Sequence, residues 1–126
     1  MKTTIAEVIK MTDMLKEDNR FTQELKIKWI SDLDMMIADE IIRKTEGGNN
    51  FQFTGYDEKT SGKTELIVPA PFSDMYIHWL HSKMDLFNQD YERYNSSVAA
   101  FYTVYQNFAS FYNREHKPLQ HDLKVF

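Results

Sequence analysis

"YERYNSSVAAFYTVYQNFASFY", residues 91–112, is the stretch that decides the fold. Its apolar residues recur at alternating steps of three and four, which is the heptad spacing of one face of an α-helix. The seven positions of this seam are Tyr91, Tyr94, Val98, Phe101, Tyr105, Phe108 and Tyr112. At 1.5 Å per residue the seam runs for roughly 30 Å along its helix. Tyr102 and Phe111 lie off the seam, so we expect both side chains to be partly exposed.

A second apolar helix is predicted immediately before this one. It carries a broad apolar stripe, which is typical of a helix at the centre of a fold. The stripe comprises Tyr76, Ile77, Leu80, Met84 and Phe87, and Met75, Trp79 and Leu86 widen it. The helix is predicted to begin at Pro71 or Ser73, with Asp74 in its first turn, where a carboxylate interacts favourably with the helix dipole. The turn at residues 88–90 then predicts an antiparallel pair of aromatic-rich helices.

Two further helices are predicted in the N-terminal half. Thr4 and Glu7 match a capping box at the start of a helix of about a dozen residues. Thr22 is the next candidate N-cap. Apolar residues then recur every four positions until the glycine pair 47–48 ends a helix of about twenty residues. The recurring residues are Leu25, Trp29, Leu33, Ile37 and Ile41. This helix is predicted to pack against the aromatic pair.

Between the second and third helices the sequence predicts a short β-hairpin. Residues 51–53 alternate as a strand, residues 65–68 supply a second strand, and the polar loop 54–64 joins them. The fold class is therefore predicted to be mainly α, a small helical domain of about four helices with a short β-hairpin between helices 2 and 3. Residues 1–113 are predicted to form this single domain. Residues 114–126 become polar and proline-broken, which predicts a flexible C-terminal tail.

Gly62-Lys63-Thr64 resembles the end of a phosphate-binding loop, but its surroundings do not match one. Such a loop requires a glycine five residues before the Gly-Lys pair, because its backbone amides must wrap the phosphates. That position is Asp57. The lysine and threonine must also open a helix, whereas the residues that follow are predicted to form a strand. A polar hairpin loop is therefore the better interpretation.

Four side chains on the third helix suggest a metal site. They are Asp74, His78, His81 and Asp85, which step by four, three and four along one helical face. Histidine pairs one turn apart bind transition metals. One helix rarely completes a metal site, however, and the same residues also describe an ordinary solvated face. We therefore predict no metal and no cofactor, and keep these four residues as weak candidates.

No catalytic constellation is evident in the sequence. The chain has no cysteine, which excludes thiol catalysis and cysteine-based metal sites. The serines lie at helix caps or in polar loops, without the glycine-framed turn of a nucleophile. The acidic residues of the second helix are predicted to solvate its outer face; they are Asp32, Asp34, Asp39 and Glu40. We therefore predict that the protein is not an enzyme.

Composition limits the class of partner. The net charge is −4, which disfavours a main role in binding a nucleic acid backbone. The aromatic seam could stack on single-stranded nucleic acid, but that use needs interleaved lysine and arginine, and residues 91–112 contain one basic residue, Arg93. No stretch approaches the ~18 apolar residues of a membrane span. The first residues lack the apolar run of a signal peptide, so we expect a protein made in the cytoplasm.

Aromatic residues exceed what a core of this size needs. They make up 14% of the 126 residues, and most of them lie between Phe72 and Tyr112. A helical core does not absorb Tyr102, Phe111 and part of Trp79. Excess aromatic surface on a small domain is typical of contact with other protein chains. The residues therefore favour an assembly protein over a catalyst.

Several stretches together resemble a group of small proteins from tailed phages and prophages of Gram-positive bacteria. The stretches are "TIAEVIKMTDMLK" (4–16), "KIKWISDLDMMIADEII" (26–42), "ELIVPAPFSDMYIHWLHSKMD" (65–85) and "YERYNSSVAAFYTVYQNFASFYNREHKP" (91–118). The resemblance covers about residues 3–118, nearly the whole chain. In general architecture this group is similar to the head–tail connectors of tailed phages, also called adaptor or head-completion proteins.

This resemblance implies a structural protein of the virion that is assembled in the bacterial cytoplasm. Connectors form a ring beneath the portal, commonly of twelve copies, and can stay monomeric until a portal templates them. They extend the DNA channel toward the stopper and tail proteins, and DNA passes without specific binding. The implied contact residues are Tyr56, Lys59 and Lys63 in the loop and Arg114, His116 and Lys117 in the tail, beside the aromatic Trp79, Tyr102 and Phe111. The alternative is a small regulatory or nucleic-acid-associated protein of a phage or mobile element.

Overall fold

The computed structural model describes residues 2–16 and 19–118. Within them lie four α-helices, which confirms the mainly helical fold. The helices are α1 (Ile5–Leu15), α2 (Gln23–Glu40), α3 (Asp74–Phe87) and α4 (Tyr91–Glu115), and a one-turn 3-10 helix (Ile42–Lys44) follows α2.

Three helix starts are fixed by side chains that accept a backbone hydrogen bond. Thr4 accepts from the N–H of Glu7 at 3.3 Å and Thr22 accepts from the N–H of Leu25 at 3.2 Å, so both predicted N-caps are confirmed. Asp90 caps α4 in the same way. Each cap satisfies one of the amides that the first turn of a helix leaves without a partner.

Helix α3 lies at the centre, with α1 parallel to it on one side. His81 Nε2 lies 3.4 Å from the carbonyl oxygen of Thr12, and Lys16 pairs with Asp85 at 2.8 Å. Both contacts join residues 69 positions apart. A constant separation means that the two helices run in the same direction.

The other two helices run antiparallel to α3. On the α2 side the indole N–H of Trp79 donates to the carbonyl oxygen of Trp29 at 2.8 Å, while Tyr76, earlier in α3, donates to Asp34, later in α2. On the α4 side the ring of Trp79 lies 5.1 Å from that of Phe101, while Phe72, just before α3, lies 5.5 Å from Phe108. The predicted antiparallel pair of α3 and α4 is therefore present, and α2 packs against α3.

The core follows the predicted stripes of α2 and α3, except in the last turn of α3, where Leu86 and Phe87 are 40% and 65% exposed. Ile30, Leu33 and Ile37 of α2 are fully buried, as are Met75, Tyr76, Leu80 and Met84 of α3. The seam of α4 is buried only in its middle, at Phe101 and Phe108. Tyr91 at its start is 59% exposed. Helix α4 has 25 residues and α3 has 14, so part of the seam extends beyond the helix that covers it.

The predicted β-hairpin was wrong. Residues 51–53 and 65–68 do not pair; among the described residues there are only two isolated bridges, Thr4 with Glu65 and Thr45 with Pro118. The second segment bonds instead to the N-terminal segment, since the N–H of Leu66 donates to the carbonyl oxygen of Thr3 at 2.8 Å. The N–H of Ile67 donates to the Asp34 carboxylate and the N–H of Val68 to the Tyr76 hydroxyl. A partner strand is therefore not needed to satisfy these amides.

The C-terminal boundary predicted at residue 113 falls within α4, which continues to Glu115. Beyond it the carbonyl oxygen of Lys117 accepts from the N–H of Glu46 at 2.8 Å. Residues 119–126 of the predicted tail lie outside the described residues. In the described part of the chain, no helix combines the length and the hydropathy needed to cross a bilayer.

Candidate functional site

The candidate site is the 54–64 loop together with the buried group that holds its base. Asp34 of α2 is fully buried and accepts three hydrogen bonds. The hydroxyls of Tyr56 and Tyr76 each donate to it at 2.6 Å, and the N–H of Ile67 donates at 3.2 Å. One carboxylate therefore joins α2 and α3 to Tyr56 near the start of the loop and to Ile67 beyond its end.

Burial and hydrogen bonding shift the pKa of the Asp34 carboxyl in opposite directions. Loss of solvent raises the pKa of its carboxyl above the ordinary value of 3.8, while the donors from Tyr56, Tyr76 and Ile67 lower it, and burial is the larger effect. Burial, and after it the negative charge of the same carboxylate, raise the pKa of both tyrosine hydroxyls. These tyrosines therefore act as hydrogen-bond donors, without titrating near neutral pH.

The first turn of the loop requires Gly55. Its φ of +97° lies in the left-handed region, and a Cβ at this position would come 2.9 Å from Ser31 Oγ. That oxygen accepts from the N–H of Tyr56 at 3.0 Å. The glycine thus lets the backbone approach α2 closely enough for Tyr56 to reach both Ser31 and Asp34.

The far end of the loop is bound to the start of α1. The N–H of Ala6 donates to the carbonyl oxygen of Gly62 at 2.9 Å, and the N–H of Ile5 donates to that of Thr64 at 3.1 Å. These carbonyls satisfy amides that the first turn of α1 cannot satisfy itself. Gly62-Lys63-Thr64 therefore serves to hold the N-terminus of α1, and Thr64 leads into a bridge and not into a helix.

The loop presents two cations and two anions at its outer surface. Lys59 and Lys63 are exposed, and so are Asp57 and Glu58. Asp57 organises the turn between the two ends of the loop, because its carboxylate accepts from the N–H of Lys59 at 2.9 Å and its carbonyl oxygen accepts from the N–H of Thr60 at 3.0 Å. Tyr56, predicted as a contact residue, is half-buried, with its hydroxyl committed to Asp34.

The four weak metal candidates have separate surroundings. Asp74 is exposed at the start of α3, and His78 is half-buried. His81 faces the Thr12 carbonyl oxygen, and burial lowers the pKa of its imidazole. Asp85 accepts from Lys16 at 2.8 Å and from the Ser97 hydroxyl at 2.9 Å. No group of three potential ligands in metal-binding geometry is present in residues 2–16 and 19–118.

The aromatic contact candidates differ in exposure. Tyr102 and Phe111 are 53% and 36% exposed, as their positions off the heptad seam predict. Trp79 is half-buried among three helices, and Lys83 lies over its ring, 4.5 Å from the centroid. Trp79 is therefore mainly a packing residue.

The tail candidates that the structure describes are close to α4. Arg114 and Lys117 are exposed. His116 stacks on Tyr112 with ring centroids 3.7 Å apart, and its Nδ1 lies 2.9 Å from the Tyr112 carbonyl oxygen. His116 is therefore held against the end of the helix.

Apolar surface is concentrated on α1 and around the α3–α4 turn. The side chains that are at least 40% exposed there are Met11, Met14, Leu15, Leu86, Phe87 and Tyr91. A groove of about 330 Å³ between α1 and α3 is lined by Val8, Met11, Leu15 and Ile77, with Glu7, Asp74 and His78 among its polar residues. Exposed Met side chains are flexible and polarisable, and they adapt to the shape of a protein partner.

Asp34 is the site residue that the sequence pattern does not predict. The prediction that it solvates the outer face of α2 with Asp32, Asp39 and Glu40 is wrong for Asp34 alone, because the other three are exposed. The spacing does indicate that Asp34 is buried, because it lies four residues after Ile30 and three before Ile37, within the apolar stripe of α2. A carboxylate in register with buried positions needs hydrogen-bond donors from elsewhere in the fold.

Comparison of the chain with protein-family models, with curated proteins and with solved structures found no match.

Proposed function

We propose that this chain is a non-enzymatic structural protein of a tailed-phage virion, a head–tail connector that docks on the portal ring. In this role it extends the DNA channel toward the stopper and tail proteins. The proposal combines the sequence resemblance with a geometry suited to protein contact. The observation that carries it is the 54–64 loop, which is bound at both ends and presents Lys59 and Lys63 outward.

A docking loop works best when its shape is fixed before contact, because less conformational entropy is then lost on binding. The base of this loop is held by Asp34 and Ser31, and its far end by the amides of α1. The two lysines therefore project from a defined surface. Beside them the carboxylates of Asp57 and Glu58 are also exposed, so the loop offers charges of both signs to a complementary surface on the portal, which would orient the subunit during encounter.

Exposed apolar side chains supply the second element of a contact protein. Met14, Leu15 and Phe87 are each about 60% exposed, at 59%, 62% and 65%. Large apolar groups gathered on one part of a small domain are typical of surfaces that other chains cover. In the proposed assembly they face neighbouring subunits or the stopper, while charged contacts at the loop set the orientation.

The test is co-sedimentation of the full chain with the portal ring of the same phage or prophage, followed by electron microscopy of the pellet. The proposal expects added density as a ring beneath the portal. A chain that stays in the supernatant with every head component would overturn it. Retardation of DNA in a gel shift at low salt, without portal binding, would instead support the nucleic-acid-associated alternative.

Charge reversal separates docking by the loop from general electrostatics. The variant Lys59→Glu/Lys63→Glu should keep its fold, because both side chains are exposed, and should lose portal binding by about tenfold or more. The control variant Lys10→Glu/Lys44→Glu makes the same change in net charge at two exposed positions outside the loop. If both variants lose portal binding equally, the loop is not part of the docking surface.

A further inference from the structure

The outer surface of α4 has an unusual composition for a solvent-exposed helix. Only Phe101 and Phe108 of its 25 residues are buried. Yet residues 94–113 contain no Asp, Glu, Lys, Arg or His, in a chain that is 27% charged. Charge depletion at exposed positions is the compositional mark of the centre of a protein–protein interface.

The side of α4 turned away from the core is small and polar. Its residues are Asn95, Ser96, Ala99, Thr103, Gln106, Asn107, Ser110 and Asn113, all of them exposed. Ser96 and Thr103 donate their hydroxyls back to the carbonyl oxygens of Glu92 and Ala99, at 3.3 and 3.1 Å. Hydroxyls that are already satisfied within the helix cost less to remove from water than free ones.

Opposite charges mark the two ends of this face. Glu92 lies in the first turn of α4 and Arg114 in the last, and each is within about 20° of Thr103 around the helix. Their exposed neighbours Arg93 and Glu115 lie about 80° and 120° away, to the side of the face. Glu92 and Arg114 are both exposed, and within the described part of the chain neither forms an ion pair. The helix dipole accounts for a carboxylate at the start and a guanidinium at the end, but not for the absence of charge between them.

We propose that this face binds the same face of a second copy, with the two α4 helices antiparallel. The positions 92 and 114 are equidistant from Thr103, so a two-fold axis beside Thr103 places Glu92 of each copy opposite Arg114 of the other. A parallel arrangement in register would place like charges together. The face is thus complementary to itself in charge, which is what an isologous contact requires.

The length of the face suits a modest interface. At 1.5 Å per residue the helix is roughly 37 Å long, and one side of a cylinder about 11 Å across presents on the order of 600 Å². Two copies can then bury at most roughly 1,200 Å², the lower end of the range for specific protein interfaces. Tyr102, 53% exposed at the edge of the face, adds aromatic area.

This pairing concerns the free protein and does not depend on the proposed head–tail role. A two-fold contact is complete with two copies, so a ring on the portal would need other surfaces. If subunits in the ring use α4, the pair would have to dissociate first. Connectors of the group that the chain resembles can stay monomeric until a portal templates them. The mass of the free chain therefore tests the pairing separately from portal binding.

The first experiment is sedimentation equilibrium of the full chain across a range of concentrations. The expected result is a mass that rises from one copy to two. Thr103→Lys should weaken the pair about tenfold or more, because it brings two lysines together at the axis, and lysine is a better helix former than threonine. Gln23→Lys, at an exposed position of α2, is the control. A monomer at every concentration, or equal effects of the two substitutions, would overturn the proposal.

A charge exchange tests the antiparallel register. Glu92→Arg alone and Arg114→Glu alone should each weaken pairing several-fold, since each places like charges opposite one another twice per dimer. The double variant Glu92→Arg/Arg114→Glu should restore it. Both reversals oppose the helix dipole, so recovery in the double variant cannot come from a more stable helix. A double variant weaker than either single one would contradict the register.

Because the chain has no cysteine, engineered cysteines can map the contact. Thr103→Cys should form a disulfide-linked dimer under mild oxidation, whereas Ser110→Cys should not, because position 110 faces position 96 of the other copy. A mixture of Ser96→Cys and Ser110→Cys chains should cross-link to each other. Met14→Cys, exposed on α1, is the control for random collision. Cross-linking of Met14→Cys as fast as that of Thr103→Cys would overturn the proposal.

Discussion

The hydroxyl of Tyr76 donates to the Asp34 carboxylate over 2.6 Å and accepts from the N–H of Val68 at 2.9 Å. This one group therefore connects α3 to α2 and to the segment that follows the 54–64 loop. Tyr76 and Asp34 are both fully buried. Polar groups in such surroundings stabilise a fold only when each has a partner, and the loss of one leaves the others without theirs.

Removal of the Tyr76 hydroxyl should be costly. Tyr76→Phe keeps the ring but leaves the Val68 N–H without its acceptor and Asp34 without one of its donors. We expect the free energy of unfolding to fall by about 2–3 kcal/mol, measured by urea denaturation. Tyr102→Phe, which changes an exposed tyrosine, should shift stability by less than about 0.5 kcal/mol. Equal effects of the two substitutions would mean that the Asp34 network does not stabilise the fold.

The stability of the protein should carry a pH signature of Asp34. Burial raises the pKa of this carboxyl above its unfolded value of 3.8, so the folded state binds the proton more readily. The stabilising contribution is then fully present below the unfolded pKa and is lost as the pH rises through the folded pKa.

A comparison with Asp34→Asn isolates this contribution. Asparagine cannot ionise, and groups that titrate independently cancel in the difference between the two proteins. The wild-type chain should therefore gain stability relative to Asp34→Asn as the pH is lowered from neutral to about 4. Urea denaturation at both pH values measures the gap. If the free energy of unfolding of the wild type minus that of Asp34→Asn stays constant or falls in acid, the pKa of Asp34 is not raised.

Short-range chemistry made the helices predictable. Thr4 and Thr22 cap helices because their hydroxyls reach amides three residues on, and the stripe of α2 needs only the helical period. The predictions for the hairpin and for Asp34 were wrong for the opposite reason, because they depend on contacts that are distant in sequence. Whether residues 65–68 pair with residues 51–53 or with Thr3 depends on which groups lie nearby in space, and the donors to Asp34 come from residues 22 to 42 positions away.

Gly55 should tolerate substitution poorly. Alanine there must adopt a left-handed φ of +97° and also displace Ser31 Oγ, which would lie 2.9 Å from the new Cβ. We expect Gly55→Ala to lower the free energy of unfolding by about 1–3 kcal/mol. Thermal unfolding followed by circular dichroism measures the loss.

Gly47 provides the matched control, because a Cβ at that position meets nothing within 4 Å. Gly47→Ala should be neutral or should stabilise the protein by up to about 1 kcal/mol, since it reduces the freedom of the unfolded chain. If both substitutions change the free energy of unfolding by the same small amount, the loop does not need its close approach to α2 to keep its position.

The ion pair between Lys16 and Asp85 should stabilise the fold more than an exposed ion pair with a similar distance between its charged atoms. The Asp85 side chain is 3% exposed and that of Lys16 is 22% exposed, with 2.8 Å between Nζ and Oδ1. Lys16→Met keeps most of the aliphatic stem but leaves a buried carboxylate with the Ser97 hydroxyl as its remaining side-chain donor. We expect a loss of about 3 kcal/mol in urea denaturation.

Lys28→Met serves as the control, because Lys28 pairs with Asp32 at 3.0 Å while both side chains are at least half exposed. Its cost should be about 0.5 kcal/mol or less. The double variant Lys16→Met/Asp85→Asn should recover part of the loss of Lys16→Met, because it removes the unpaired charge. If Lys16→Met costs no more than Lys28→Met, then water reaches Asp85 and the pair does not hold α1 against α3.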